Sequence, residues 1–185
     1  MSQKKIMICA GEVSGDLHAA NLVRAVKKLD SNIEFMGIGG EKMEEAGVEI
    51  RDKTVHMGTV GIVEGVKYYP SFWKIKTKLS KTLKEEHPDL VILVDSRDFN
   101  LRVARLARKL GISTLYYIAP PIWAWKDWQT KRISRNIDRI IAIFSFEAEA
   151  YRKAGARVSF VGYPLIDLVR PSMSKEEALR KFNLT

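Results

Sequence analysis

The sequence predicts an α/β fold, a doubly wound parallel sheet with helices on both faces. Short β-branched runs alternate with segments of helical apolar spacing along most of the 185 residues. Leu90–Val94 is apolar without alternation, as in a strand covered on both faces. Glycines follow the first two strands directly, Gly11 after one and Gly39-Gly40 after the other.

Lys5–Ala10 reads as the first strand, Gly11–Asp16 as a loop and Leu17–Leu29 as a helix, because Leu22, Ala25, Val26 and Leu29 keep the 3.6-residue period. Glu34–Ile38 is a second strand, Glu41–Ala46 a short helix closed by Gly47, and Val48–Arg51 a weak third strand. Residues 52–69 carry no clear pattern. Pro70–Glu86 is a helix with proline at its first position, and Leu90–Val94 the next strand. Then come helix Leu101–Leu110, strand Thr114–Ile118, an irregular stretch at Pro120-Pro121 and helix Lys126–Ile137. Strand Arg139–Ile143, helix Phe146–Ala154, strand Val158–Val161 and helical pieces at Pro164–Val169 and Lys175–Phe182 complete the chain. Arg170–Ser174 reads as a linker.

Composition narrows the function. With 46% apolar residues the chain can bury a core, which excludes wholesale disorder. No apolar run reaches the roughly 18 residues of a spanning helix, and Ile6–Ala10 is too short for a secretory h-region. A lone Cys9 rules out an intrachain disulfide and fits a reducing, cytoplasmic setting. Thirty-one basic residues against 22 acidic ones give a net charge of +9, which suggests an anionic partner such as nucleic acid, phospholipid or a phosphorylated substrate.

Two loops carry candidate chemistry. Gly11-Glu12-Val13-Ser14-Gly15-Asp16 joins a strand to a helix, where a doubly wound sheet places its crevice. It lacks the Gly-Lys-Ser/Thr of a phosphate loop, and Glu12 and Asp16 would repel a pyrophosphate. Carboxylates there suit hydroxyl groups or proton transfer, while Ser14 or Asp16 would equally serve as a helix cap. The second loop, Asp95-Ser96-Arg97-Asp98-Phe99-Asn100, follows the buried strand Leu90–Val94. In the usual strand order that strand lies beside the first, so Glu12, Asp95 and Asp98 would flank one crevice. A carboxylate so placed can act as general base toward a sugar hydroxyl. Asp98 is the functional candidate, whereas Asp95 and Asn100 read better as bonding to the loop backbone and capping the next helix.

Two further stretches are basic and aromatic. Lys67 to Lys84 holds six lysines and no acid, so it supplies six of the nine net charges. Phe72, Ile75, Leu79 and Leu83 form a helical stripe, with Lys74, Lys78 and Lys81 opposite and Trp73 beside it. Val66, Tyr68, Tyr69, Phe72, Trp73, Lys74 and Lys76 read as a membrane-surface element, against the plainer alternative of a packed helix with a solvated lysine face. Pro120–Arg139 holds Trp123, Trp125 and Trp128 beside Lys126, Lys131, Arg132 and Arg135. This mixture suits a sugar ring with an anionic group, single-stranded nucleic acid, or core tryptophans under a solvated helix. His18, His56 and His87 are scattered without metal-ligand spacing, although His18 lies near the predicted crevice.

The segments AGEVSGDLHAANL (10–22), FMGIGGEKMEEAGV (35–48), MGTVGIVEGVKYYP (57–70), VDSRDFNLRVARLARKLGI (94–112), YYIAPPIWAWK (116–126) and FVGYPLIDLV (160–169) resemble the N-terminal half of the lipid-A-disaccharide synthases. The resemblance implies a two-domain GT-B glycosyltransferase with a Rossmann-like domain on each side of a cleft. It implies inverting transfer of an acylated glucosamine from UDP-2,3-diacylglucosamine to 2,3-diacylglucosamine 1-phosphate, without metal or cofactor, at the cytoplasmic face of the inner membrane. It places Asp98 as base and Glu12 as the first-loop acid. Gly11, Ser14, Gly15, Asp16, Arg97, Asn100, Trp123 and Trp125 are the expected acceptor-binding residues.

On this reading residues 1–169 form the acceptor-binding domain, and 170–185 lead toward a C-terminal nucleotide-sugar domain beyond Thr185. The chain alone is then expected to be inactive, with no nucleic-acid partner. Two positions depart from the family pattern, Arg97 where proline is common and Tyr163 where histidine is common. Arg97 would either pair with Asp98 and weaken it as a base or hold the acceptor phosphate. Outside the resemblance, a basic nucleic-acid-binding module or a Rossmann-type nucleotide-binding domain are the competing readings.

Overall fold

The computed structural model describes residues 3–53, 69–120, 127–169 and 172–184, with backbone alone at 69–76 and 127–129. The strands are β1 (Lys5–Ala10), β2 (Glu34–Gly39), β3 (Glu49–Lys53), β4 (Leu90–Val94), β5 (Ser113–Tyr117), β6 (Arg139–Ala142) and β7 (Val158–Phe160). They form one sheet in the order β3-β2-β1-β4-β5-β6-β7, with every pair parallel. The helices are α1 (Val13–Leu29), α2 (Glu41–Glu45), α3 (Tyr69–Glu86), α4 (Arg97–Lys109), α5 (Asp127–Asn136), α6 (Ser145–Lys153) and α7 (Lys175–Lys181), with a 3-10 turn at Pro164–Asp167. This is the doubly wound, Rossmann-like architecture that the alternation predicts.

Strand alternation sorts the core into two layers. Ile8, Ala10, Phe35, Ile92 and Val94 meet Ala19, Ala20 and Val23 of α1 and Met43 of α2. On the other face Met7, Cys9, Met36, Val91, Leu93 and Tyr116 meet Leu79 and Leu83 of α3, Val103, Ala104 and Ala107 of α4, and Ile133 of α5. The strand order runs outward from β1 through β2 to β3, then reverses at β4. β1 and β4 are therefore neighbours, with Ala10 opposite Val94. In doubly wound sheets such a reversal point is where the loops at the carboxyl ends form a binding crevice.

Two helices begin four residues earlier than the sequence suggests. Glu12 takes the extended N-cap conformation, and the Asp16 amide donates to the Glu12 carbonyl at 2.9 Å, so Val13–Asp16 is already helical. Gly15 permits the helix to lie close: a Cβ there would stand 3.4 Å from the Val94 carbonyl oxygen and 3.5 Å from Asp95 Cβ. Likewise α4 starts at Arg97, with Ser96 as its N-cap. Both first turns are polar, which makes them look like loop in sequence.

In the described part of α3, Leu79 and Leu83 are buried while Lys78, Lys81 and Lys84 are exposed, the separation that the stripe predicts. Lys78 pairs with Asp52 at 3.2 Å. Of the expected membrane-contact residues, Val66 and Tyr68 lie outside the described residues. Tyr69, Phe72, Trp73, Lys74 and Lys76 are described by helical backbone alone. No helix among the described residues is long and apolar enough to cross a membrane. At the far end Ser174 and Glu177 form a reciprocal capping box that starts α7.

Candidate active site at the carboxyl edge

The crevice is assembled from the ends of β1 and β4. A Cβ at Gly11 would run into the Ser96 side chain, so only glycine lets the two loops approach this closely. Ser14 Oγ donates to Asp95 Oδ2 at 3.0 Å and clasps α1 to the β4 loop. Asp95 is thus a cross-loop acceptor rather than the cap of α4; the N-cap residue there, Ser96, makes no side-chain cap bond. Glu12 is half-buried beside it, and burial first, then the Asp95 charge, pushes its carboxyl above the ordinary range.

The β4 loop is strained. Asp95 and Ser96 have φ of 54° and 22°, in the left-handed region that non-glycine residues avoid. Ile118, at the end of β5, has φ of 56°, which is costlier still for a β-branched residue. Such conformations cost on the order of 1–3 kcal/mol each and persist where surroundings over-determine them. Those surroundings are visible. Asn100 Nδ2 donates to the Val94 and Asp95 carbonyls, both at 2.9 Å, and the Tyr116 hydroxyl donates to the Asp95 carbonyl at 2.6 Å.

This changes the role of two expected acceptor-binding residues. Asn100 is wholly buried and holds the loop from beneath. Asp16 is 4% exposed and caps α2 rather than its own helix. Its Oδ1 accepts from the Gly40 and Met43 amides at 2.7 and 3.2 Å, and its Oδ2 from the Lys42 amide at 3.0 Å. Both bond backbone groups beside the crevice. A local reading of spacing misses the Asp16 contact because its partners lie 24 to 27 residues away.

Asp98 stands in the first turn of α4 with its side chain 79% exposed. Arg97 grips it, Nε to Oδ1 at 3.3 Å and Nη2 to Oδ2 at 3.1 Å. Arg97 is only 23% exposed, so it holds the outward-facing carboxylate from the protein side of the pair. Trp123 and Trp125 lie outside the described residues.

The structure adds groups that the sequence reading passed over or discounted. His18 is buried on α1, and burial pushes its imidazole below the usual value against the opposing pull of Asp95. Its ring meets Tyr163 edge-on at 6.4 Å. Tyr163 stacks on Phe144 at 5.7 Å and Phe144 on Phe146 at 5.6 Å, and all three remain at least 36% exposed. The only local signal for this ladder is a pair of aromatics placed directly after β6. Glu147, in the first turn of α6, is 3% exposed, and burial pushes its carboxyl up to about 7 from an ordinary 4.5. The native state then holds a proton that the unfolded chain has released between those values, so stability should fall as pH rises through that window. Glu147→Gln should flatten this slope in Tm measured from pH 4 to 8 and raise Tm at pH 8; an unchanged slope would remove Glu147 as its cause.

Other places in the fold do not compete. Cys9 is wholly buried, and burial pushes its thiol up to about 12, so it is no nucleophile. A groove of about 430 Å³ at the amino edge is lined by Lys5, Arg51 and Glu86 among others. Those charges pair with one another, Lys5 with Glu86 at 2.7 Å and Arg51 with Glu86 at 2.8 Å. Among the described residues no cluster of three or more His, Cys, Asp or Glu could hold a metal ion.

A family model described as Lipid-A-disaccharide synthetase matches residues 6–184. The chain belongs to the lipid-A-disaccharide synthase family. It is 46% identical over 181 residues to the lipid-A-disaccharide synthase of Geobacter metallireducens, covering 98% of this chain and 47% of that protein. Identity is 47% over 180 residues to the Geobacter sulfurreducens protein and 39% over 184 residues to the Coxiella burnetii protein of the same name. The chain spans about half the length of the curated relatives it matches. Among solved structures it is similar to a UDP-N-acetylglucosamine 2-epimerase, with a TM-score of 0.70 at 14% identity over 94% of this chain and 53% of that one. A glycosyltransferase from Rickettsia africae matches with a TM-score of 0.61 at 11% identity, over all of this chain and 51% of that one. At such identities these likenesses show the fold, the GT-B type of Rossmann-like domain.

Proposed function

We propose that this lipid-A-disaccharide synthase chain is the acceptor-side half of a glycosyltransferase of lipid A biosynthesis. In this reading residues 1–169 bind 2,3-diacylglucosamine 1-phosphate, and 170–185 lead to a nucleotide-sugar domain that holds UDP-2,3-diacylglucosamine. The observation that carries it is the meeting of the Glu12 loop and the Asp95–Asp98 segment across the β1–β4 crevice, in a member of this family.

Asp98 is the base. It takes the proton of the acceptor hydroxyl as that oxygen forms its bond to the donor's anomeric carbon, and UDP leaves with the electron pair of the broken bond. A single displacement inverts the anomeric centre. Glu12, half-buried beside Asp95, orients the acceptor hydroxyls. Arg97 holds Asp98 while the site is empty and can offer a charge-assisted contact to the acceptor phosphate on binding. Gly11, Gly15 and Ser14 fix the two loops at the separation the sugar needs.

On this reading residues 1–185 by themselves should catalyse negligible transfer. Calorimetry on the chain tests the acceptor-side assignment directly. N-acetylglucosamine 1-phosphate, a soluble stand-in for the acceptor, should bind saturably and UDP should not compete with it. Saturable binding of UDP with no binding of the phosphosugar would overturn the assignment in favour of a nucleotide-binding domain.

The segment from Val66 to Lys76 is the membrane-contact element of this reading, and the inner-membrane surface its anionic partner. Each lysine near an anionic surface contributes about 1 kcal/mol. The chain should therefore sediment with phosphatidylglycerol vesicles at low salt and release at high salt, and Lys74→Glu with Lys76→Glu should weaken this strongly. Sedimentation unaffected by the double substitution would place the contact elsewhere, and tighter binding to an oligonucleotide than to vesicles would favour a nucleic-acid module.

A further inference from the structure

We propose that His18 is a sugar-binding residue of the crevice, its buried Nδ1 taking a hydroxyl or amide N–H of the acceptor. This rests on the acceptor-side reading above. Residues three and four apart share a helix face, so His18 stands one turn above Ser14 and Gly15 on α1. That face looks at the end of β4: Ser14 bonds Asp95, and Gly15 lies against Val94 and Asp95. The Asp95 charge reaches the imidazole, and Tyr163 covers its edge.

His18 is 7% exposed, and its Nδ1 has no hydrogen-bond partner among the described residues. Buried polar atoms in folded proteins are nearly always bonded, so an unpaired one on the α1 face that meets the β4 end has an open bonding position for a ligand group. The chemistry of that ligand follows from the neighbours. A neutral imidazole offers one acceptor nitrogen and one N–H. Burial holds His18 in that neutral form, and the Asp95 charge that reaches it disfavours an anion. The contact therefore suits the uncharged hydroxyl or amide part of the acceptor, while the phosphate goes to the Arg97 side.

The test uses the chain labelled with ¹⁵N at backbone and histidine ring, titrated with N-acetylglucosamine 1-phosphate and followed by NMR. The His18 ring nitrogens should move saturably and in step with the Ser14 and Arg97 amides. Saturable movement of those amides with the His18 nitrogens unmoved would overturn the His18 assignment and leave the acceptor reading standing. No saturable movement at any of the three would overturn both. His18→Phe keeps a ring in the site and removes both nitrogens. It should weaken binding by roughly 3- to 10-fold, the scale of one neutral hydrogen bond. Unchanged affinity in a variant of wild-type Tm would also overturn the proposal.

Discussion

Asp98→Ala in the full-length protein should lower disaccharide formation by about 100- to 10,000-fold, the range of a lost general base, with the thermal midpoint unchanged. The two halves of this expectation come from the same geometry. The Asp98 side chain is 79% exposed and among the described residues it pairs with Arg97, so its loss removes one ion pair and little packing. As the base it would be the group that accepts the hydroxyl proton, and neither Arg97 nor a water could substitute for it. Asp98→Asn keeps the shape and removes the basicity, and should fall as far as alanine. Turnover near wild type in either variant would transfer the base role away from Asp98, with Glu12 the next carboxylate along the crevice.

Asp16→Ala should act on the other axis. Asp16 serves three amides at the start of α2, and alanine would leave the Gly40 and Met43 amides buried without an acceptor. Each such loss costs about 1–3 kcal/mol, so a total of roughly 3–4 kcal/mol is expected. For a chain of this size that is a fall in Tm on the order of 10 °C. Gly39 leaves the room that the Met43 side chain occupies, since a Cβ there would run into its thioether and come within 3.3 Å of Asp16 Oδ1. Below its lowered midpoint the variant should bind N-acetylglucosamine 1-phosphate as the parent does. A variant of parental stability that binds the phosphosugar poorly would return Asp16 to the binding surface.

These two aspartates show what a sequence read alone can and cannot reach. Asp16 and Asp98 both sit near a glycine or polar turn after a strand, and both read as crevice residues. The central strands are legible because two-sided burial leaves an unbroken apolar run, as in Leu90–Val94, and the reversal at β4 follows from the usual strand order. The helix starts are not, because the first turns of α1 and α4 are polar and carry Gly15 and Ser96, residues that mark loops elsewhere. Asp16 bonds to a helix more than twenty residues on, and the His18–Tyr163 contact joins opposite ends of the chain. Such pairings belong to tertiary placement and leave no local periodicity to read.

The hydroxyl of Tyr116 ties the crevice to the interior in a way that reaches beyond catalysis. A wholly buried side chain on β5 grips the carbonyl of Asp95, one strand away. Evolutionary drift among core residues is ordinarily silent so long as volume is kept, and a tyrosine exchanged for phenylalanine is a modest event. Here the same exchange would remove the bond that holds the Asp95 carbonyl and so loosen the loop that carries Asp98. The interior of this domain is therefore not a neutral filling, and mutational tolerance should drop at Tyr116 well below that of its equally buried apolar neighbours.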